Sequence, residues 1–251
     1  MREGVESQSI YPEREDRPQG LIEAAWRGGR WKPDGTDVFC NRREARPEVL
    51  LETPNLLVIP DLFPLTPGHV LIIPKRHYPC FGGTPARGDA EVEAVVRQVR
   101  AFLRDTYGLE AMLWENGGPA SGQSVHHAHL HLIPLPAGHP VPAAQDALAI
   151  PGKGLAPIRT WWHSHKGGRA YHLMEVGNDR RLLPGGSPDV RQLNLYKAAV
   201  LHIPTTLDGE RWVRKTNPVE VARTVMLWQR WALSHPLKQF RGPGSGLEEV
   251  A

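Results

Sequence analysis

The chain has 251 residues, 40% hydrophobic and 23% charged, enough for one globular domain with a sizeable extension or for two small domains. Its 30 lysines and arginines stand against 27 acidic residues, a net charge of +3 that favours anionic ligands but is too dilute to single out nucleic acid or a membrane surface. No apolar run approaches a membrane span, the N-terminus lacks a signal-peptide core, and two cysteines make no disulfide framework, so a cytoplasmic protein with reduced thiols is expected.

Residues 1–19 are polar and unpatterned and read as a mobile tail. "LIEAAWRGGRW" reads as a short helix ending at Gly28–Gly29, and "VLLETPNLLVIPD" as two strands around a Thr-Pro-Asn turn. "HVLIIPK" is a continuous apolar run of strand length, expected to be central and buried on both faces. From Asp89 the period becomes helical: Val92, Val95, Val96, Val99, Phe102 and Leu103 line one face of a helix that Gly108 stops. "AMLWEN" is a strand, "GGPASGQ" a glycine-rich turn, and "SVHHAHLHLIPL" a further strand. The order β-β-β-α-β-β predicts an α+β fold with a mainly antiparallel sheet over residues 36–140, within a domain of residues 20–140. Residues 141–157 read as a linker or wrapped segment opening a C-terminal α/β extension over residues 141–240. The extension has a strand at "AYHLMEV" and helices at "PDVRQLNLYKAAVLHI" and "NPVEVARTVMLWQRWALSHP". The last has a start signal in Asn217, Pro218 and Glu220. Residues 241–251 read as a disordered tail.

The chemistry concentrates in "SVHHAHLHLIP". Strand alternation puts His127, His129 and His131 on one face, with Ala128, Leu130 and Leu132 against the core. A chance exposed cluster would not alternate so strictly. A metal site would need the strand to bend and a further ligand that the neighbouring sequence does not offer. Nucleophilic catalysis at phosphorus uses one neutral imidazole to attack and its neighbours to orient it and bind oxygens. The surroundings favour this reading: the turn offers backbone N–H groups and the Ser124 hydroxyl to a phosphate, and Asn116 offers an amide. Neither metal nor cofactor is expected.

"NGGPASGQSVHHAHLHLIP" resembles the signature of the histidine-triad (HIT) family of nucleotide hydrolases and transferases, a His-φ-His-φ-His-φ-φ pattern met by residues 127–133. "DLFPLTPGHVLIIPKRHYP" looks like that family's upstream strand-turn-strand region. The resemblance implies a HIT-like antiparallel sheet with a crossing helix. It also implies that His129 attacks an α-phosphate to give a nucleotidyl-histidine that water hydrolyses. His127 and His131 match the flanking histidines, and His69 matches a histidine behind the triad. Asn116, Gln123 and Ser124 match phosphate contacts, and Asp61 matches the acid that binds the ribose hydroxyls. Leu62 and Phe63 would wall the base or simply pack in the core. The transferase branches replace the third histidine by glutamine, so His131 points to hydrolysis. Members that carry zinc use a Cys-x-x-Cys pair; the match taken here, Cys40-Asn-Arg-Arg43, lacks its second cysteine, and zinc is not expected. His126 faces away from the triad.

In the extension, "TWWHSHKGGRAYHLMEV" either closes over a nucleotide with Trp161, Trp162, Lys166 and Arg169 or, the favoured reading, extends the sheet and buries its tryptophans. His163 and His165 share a strand face there, a weak metal signal. Small HIT proteins dimerise through the helix and an edge strand, and the sequence leaves a homodimer open. The expected function is a HIT-type nucleotide hydrolase cleaving a phosphoramidate or phosphoanhydride bond. The alternatives are a dinucleoside-polyphosphate hydrolase or phosphorylase, a nucleotidyltransferase, or a non-catalytic nucleotide-binding module, with a nucleic-acid factor ranked last.

Overall fold

The computed structural model describes residues 37–40, 49–118, 121, 123, 125–135, 148–150, 152, 154–165, 170–185 and 217–235. The helices expected at 21–31 and 188–203, Lys166, Arg169 and both tails lie outside these residues.

Eight strands form one antiparallel sheet: β1 (Leu51–Glu52), β2 (Leu56–Pro60), β3 (Val70–Pro74), β4 (Glu110–Gly117), β5 (Leu130–Leu135), β6 (Leu148–Ala149), β7 (Tyr171–Val176) and β8 (Asp179–Pro184). Their spatial order is β1-β2-β3-β5-β4-β7-β8-β6. Three α-helices, α1 (Asp89–Tyr107), α2 (Ala156–Ser164) and α3 (Pro218–Ser234), and two short 3₁₀ turns at Phe81–Gly83 and Ala86–Gly88 complete the described fold. The α+β expectation holds, and the strands after residue 140 join the same sheet.

Period-2 alternation gives the sheet two apolar faces. One carries Val58, Val70, Ile72, Leu113, Leu130, Leu132, Leu173 and Leu182, buried beneath Val95, Val99, Phe102 and Leu103 of α1. Burying such a side chain stabilises by about 1.5–3 kcal/mol, so this layer anchors the opposite face. Gly108 ends α1 in the left-handed region, φ 67°, with its N–H on the Arg104 carbonyl. At α3 the Asn217 side chain accepts from the Glu220 N–H at 3.0 Å with Pro218 at the first turn, as its sequence signal predicts. Trp228 and Trp231 of α3 then pack edge-on against Phe102, with ring centroids 4.9 and 5.8 Å away.

Two expectations are corrected. The histidine-bearing strand starts only at Leu130, so His127 and His129 precede it. The β3–β5 ladder stops at Ile72↔Leu130. Pro74 has no N–H to continue the ladder, and the Ala128 N–H turns to the Tyr78 carbonyl at 2.7 Å. The segment holding Trp161, Trp162 and His163 is helix α2 rather than strand, so His163 and His165 share no strand face; His165, just beyond it, stacks on Trp161 at 4.3 Å. Trp162 is partly buried against the core, in line with the packing reading.

Candidate active site

The site occupies the sheet face away from α1. Register aligns Leu71, His131, Trp114 and Met174 across β3, β5, β4 and β7. The next row toward the β4 C-terminus pairs Asn116 with His172. His127, His129 and His131 are all buried, and each ring has its own hydrogen-bond partner.

The tautomers follow from those partners, because a carbonyl can only accept. His129 Nδ1–H donates to the His127 carbonyl at 2.6 Å, which makes Nε2 the lone-pair nitrogen of the neutral ring. His69 Nδ1 accepts the Leu65 N–H at 3.2 Å, so its Nε2–H faces His131 Nδ1 at 3.0 Å. His131 is then left with its proton on Nε2. Burial holds the His131 imidazole well below its usual pKa, against the pull of Asp61, so it stays neutral. The ring of His131 meets that of His129 edge-on, centroids 4.9 Å apart.

Asp61 is buried; its Oδ1 accepts the Phe63 N–H at 2.9 Å, and Oδ2 lies 3.5 Å from both His69 Nε2 and His131 Nδ1. Leu62 is buried and Phe63 partly so, in an apolar cluster that also holds Phe39 and, from α3, Val221. The Gln123 side-chain N–H donates to the Pro79 carbonyl at 3.0 Å. Asn116 Oδ1 accepts from Trp114 Nε1–H at 2.9 Å and from His172 Nδ1–H at 2.8 Å. Ser124 lies outside the described residues. The structure therefore gathers the three histidines with His69 and Asp61, and places Asn116 one row away.

His127 faces a second cluster that the sequence reading missed. Its Nε2–H donates to the Pro74 carbonyl at 2.7 Å, which turns Nδ1 toward both Asp37 carboxylate oxygens, each 3.2 Å away. His77 Nδ1 lies 2.9 Å from Asp37 Oδ2, and the Cys40 sulfur lies 3.3 Å from Asp37, 3.6 Å from His127 and 3.8 Å from His77. Burial pushes the Asp37 carboxyl up in pKa, but the hydrogen bond and charge of His127, with the Cys40 thiol and Phe39 N–H, outweigh it and hold the group well below the usual range. With the His127 proton on Nε2, its Nδ1 lone pair would oppose a carboxylate unless a second proton or a cation stands between them. A tetrahedral zinc with bonds of about 2.0–2.3 Å needs donor separations of about 3.3–3.8 Å. The separations here, 2.9 to 3.8 Å, bracket that range, so the donors fit zinc. The pattern is Asp37-x-x-Cys40, running upstream of Cys40 rather than downstream to Arg43. In the other trio of possible ligands among the described residues, Asp61, His69 and His131, the two histidines are joined by a hydrogen bond and Asp61 lies 3.5 Å from both.

Phe39 also escaped the sequence reading; its ring stands edge-on to His127 and His129 at 5.9 and 5.5 Å. Below the sheet, Glu115 is fully buried, and burial raises its pKa to about 7 although the Tyr171 hydroxyl and Phe81 N–H both donate to it. Gly82 N–H donates in turn to the Tyr171 oxygen at 3.0 Å. That clamp fixes the loop whose Pro79 carbonyl holds Gln123.

Comparison with known proteins identifies the family of this segment. The profile described as HIT domain matches residues 42–137. An adenylylsulfatase of Arabidopsis thaliana is 39% identical over 100 residues, 39% of this chain and 51% of that protein, so the chain spans about half of that relative's length. A HIT-like protein of Chlamydia pneumoniae is 36% identical over 91 residues, 34% of this chain and 79% of its own length. Among solved structures, a histidine triad nucleotide-binding protein from Sulfolobus tokodaii is 30% identical over 40% of this chain and 70% of its own, with a TM-score of 0.36. The chain belongs to the HIT family.

Proposed function

We propose that the protein is a nucleotide hydrolase that cleaves a phosphoramidate or phosphoanhydride bond at a nucleoside 5′-α-phosphate through His129. One observation carries the reading: the His129 Nδ1–H bond to the His127 carbonyl, which leaves Nε2 as the nucleophilic nitrogen. Nε2 attacks the α-phosphorus, the bond to the leaving group breaks, and that group departs with the electron pair and takes up a proton. Water then attacks the phosphorus, the P–N bond breaks, and nucleoside monophosphate and neutral imidazole are released with a proton. Neutral His131, its Nε2–H available as a donor, and the Asn116 and Gln123 amides hydrogen-bond phosphate oxygens as charge builds there. Asp61 accepts from the ribose hydroxyls, while Leu62 and Phe63 wall the base. His69 holds the His131 tautomer. Asp37, Cys40, His77 and His127 would hold zinc, which would neutralise the local carboxylate and tie residues 37–40 to the triad.

The substrate is a nucleotide conjugate. The adenylylsulfatase name of the Arabidopsis relative adds a sulfate leaving group to the phosphoramidate and dinucleoside-polyphosphate candidates. The test is turnover of adenosine 5′-phosphoramidate, adenosine 5′-phosphosulfate, diadenosine polyphosphates and a nucleotide sugar, by wild type and His129→Ala. Release of nucleoside monophosphate from at least one member, lost in the variant, is expected; substantial turnover by His129→Ala would sink the mechanism. Dependence on inorganic phosphate would separate phosphorolysis from hydrolysis.

A further inference from the structure

The matched HIT segment ends at residue 137, yet a side chain beyond it reaches the phosphate-contacting row. His172 stands on β7 directly opposite Asn116 on β4. Indole nitrogen can only donate, so the Asn116 side-chain atom 2.9 Å from Trp114 Nε1 must be its oxygen. The same oxygen lies 2.8 Å from His172 Nδ1, which must therefore carry a proton. Two donors on one carbonyl oxygen fix the rotation of the amide and leave Nδ2 as its only donor. Either donor alone would leave the amide freer to swing. Both His172 and Asn116 are at least nine-tenths buried, so water does not readily replace a lost bond.

We propose that His172 is a positioning residue of the active site: it acts through Asn116, holding the amide so that its N–H groups meet the substrate phosphate. The proposal rests on the phosphate-binding reading of Asn116 given above. It makes the strand outside the matched segment part of the catalytic apparatus. Neutral and protonated imidazole both donate through Nδ1, so the contact does not depend on the charge of the ring.

A double-mutant cycle in the full chain tests this, with the substrate panel above and, separately, AMP affinity. His172→Phe keeps a ring but removes the donor; kcat should fall about 10-fold with a smaller change in KM, since an oriented donor matters most where charge develops. His172→Asn places an amide donor near the Nδ1 position and should recover to within about 3-fold of wild type, with an unchanged pH profile. In an Asn116→Ala background, His172→Phe should change nothing further, because coupled residues are non-additive. Wild-type rates in His172→Phe, full additivity with Asn116→Ala, or loss of a pH limb in His172→Asn would each overturn the proposal. If the wild type turns over no member of the panel, the hydrolase reading fails, and the AMP cycle still decides: weakened, non-additive binding supports the His172 role, and additive or absent effects overturn it.

Discussion

Residues 42–137 and the described residues from 148 to 235 build one sheet by different means. The first region supplies most of the groups proposed to react and bind: His69, His127, His129, His131, Asp61, Asn116 and Gln123. The second supplies supports: Tyr171 on Glu115, His172 on Asn116, Val221 beside Phe39, and two tryptophans on Phe102. The three histidines sit within one five-residue segment, whereas the supports come from separate elements and need only arrive in the right place in space. Support can therefore come from sequence far from the chemistry.

The largest expected effect sharpens that division. His129→Ala should lower kcat at least about 10⁴-fold, the scale of deleting a nucleophile, while AMP affinity changes little in a calorimetric titration. Next comes the cluster around Asp37, where elemental analysis of purified wild type should find about one zinc per chain and Asp37→Ala should lose it. Chelation should also lower Tm by about 5 °C or more, because bound metal adds to folding stability. Zinc-free wild type with unchanged Tm would leave Asp37 and His127 as a plain ion pair.

Glu115 tests whether a support has its own pH dependence. Its pKa of about 7 is raised above the ordinary value of 4.5, so the folded state holds a proton that the unfolded state releases. Stability from this group is complete below pH 4.5 and falls as pH rises to about 7, by about 3 kcal/mol at 1.36 kcal/mol per unit. Urea unfolding at pH 5 and pH 7 should show about 2 kcal/mol of that loss in wild type and none of it in Glu115→Gln. Asp61→Ala should reduce the preference for AMP over its 2′-deoxy analogue by about 10-fold, as loss of a hydrogen-bonding carboxylate does. The smallest effect belongs to Asn217→Ala, about 1 kcal/mol of stability from the lost cap, with turnover unchanged; a large loss of turnover would move α3 from support to chemistry.

Local patterns were legible in the sequence. The Val92–Leu103 stripe gave a helix with its stop at Gly108, and Asn217-Pro218 gave the start of α3, because caps and amphipathic faces are set by neighbours in sequence. The alternating histidines marked the proposed reactive centre, although only His131 proved to lie within the strand. What escaped depends on distant meetings. Asp37 and His127 stand 90 residues apart, and His172 and Asn116 stand 56 apart. No short-range rule pairs an extension strand with β4, whose edge depends on which strands reach it in space.

That pairing also governs how the molecule meets its own kind. A strand with an open side offers a row of amides and carbonyls to any neighbour, but β4 has β5 on one side and β7 on the other. Two copies therefore cannot merge their sheets across β4. Among the described residues the outermost strands are β1 and β6, each only two residues long. A visiting backbone would find room there for a hydrogen bond or two, too little to hold it. Among the described residues, an assembly across these two edges would rest on side chains more than on a shared ladder.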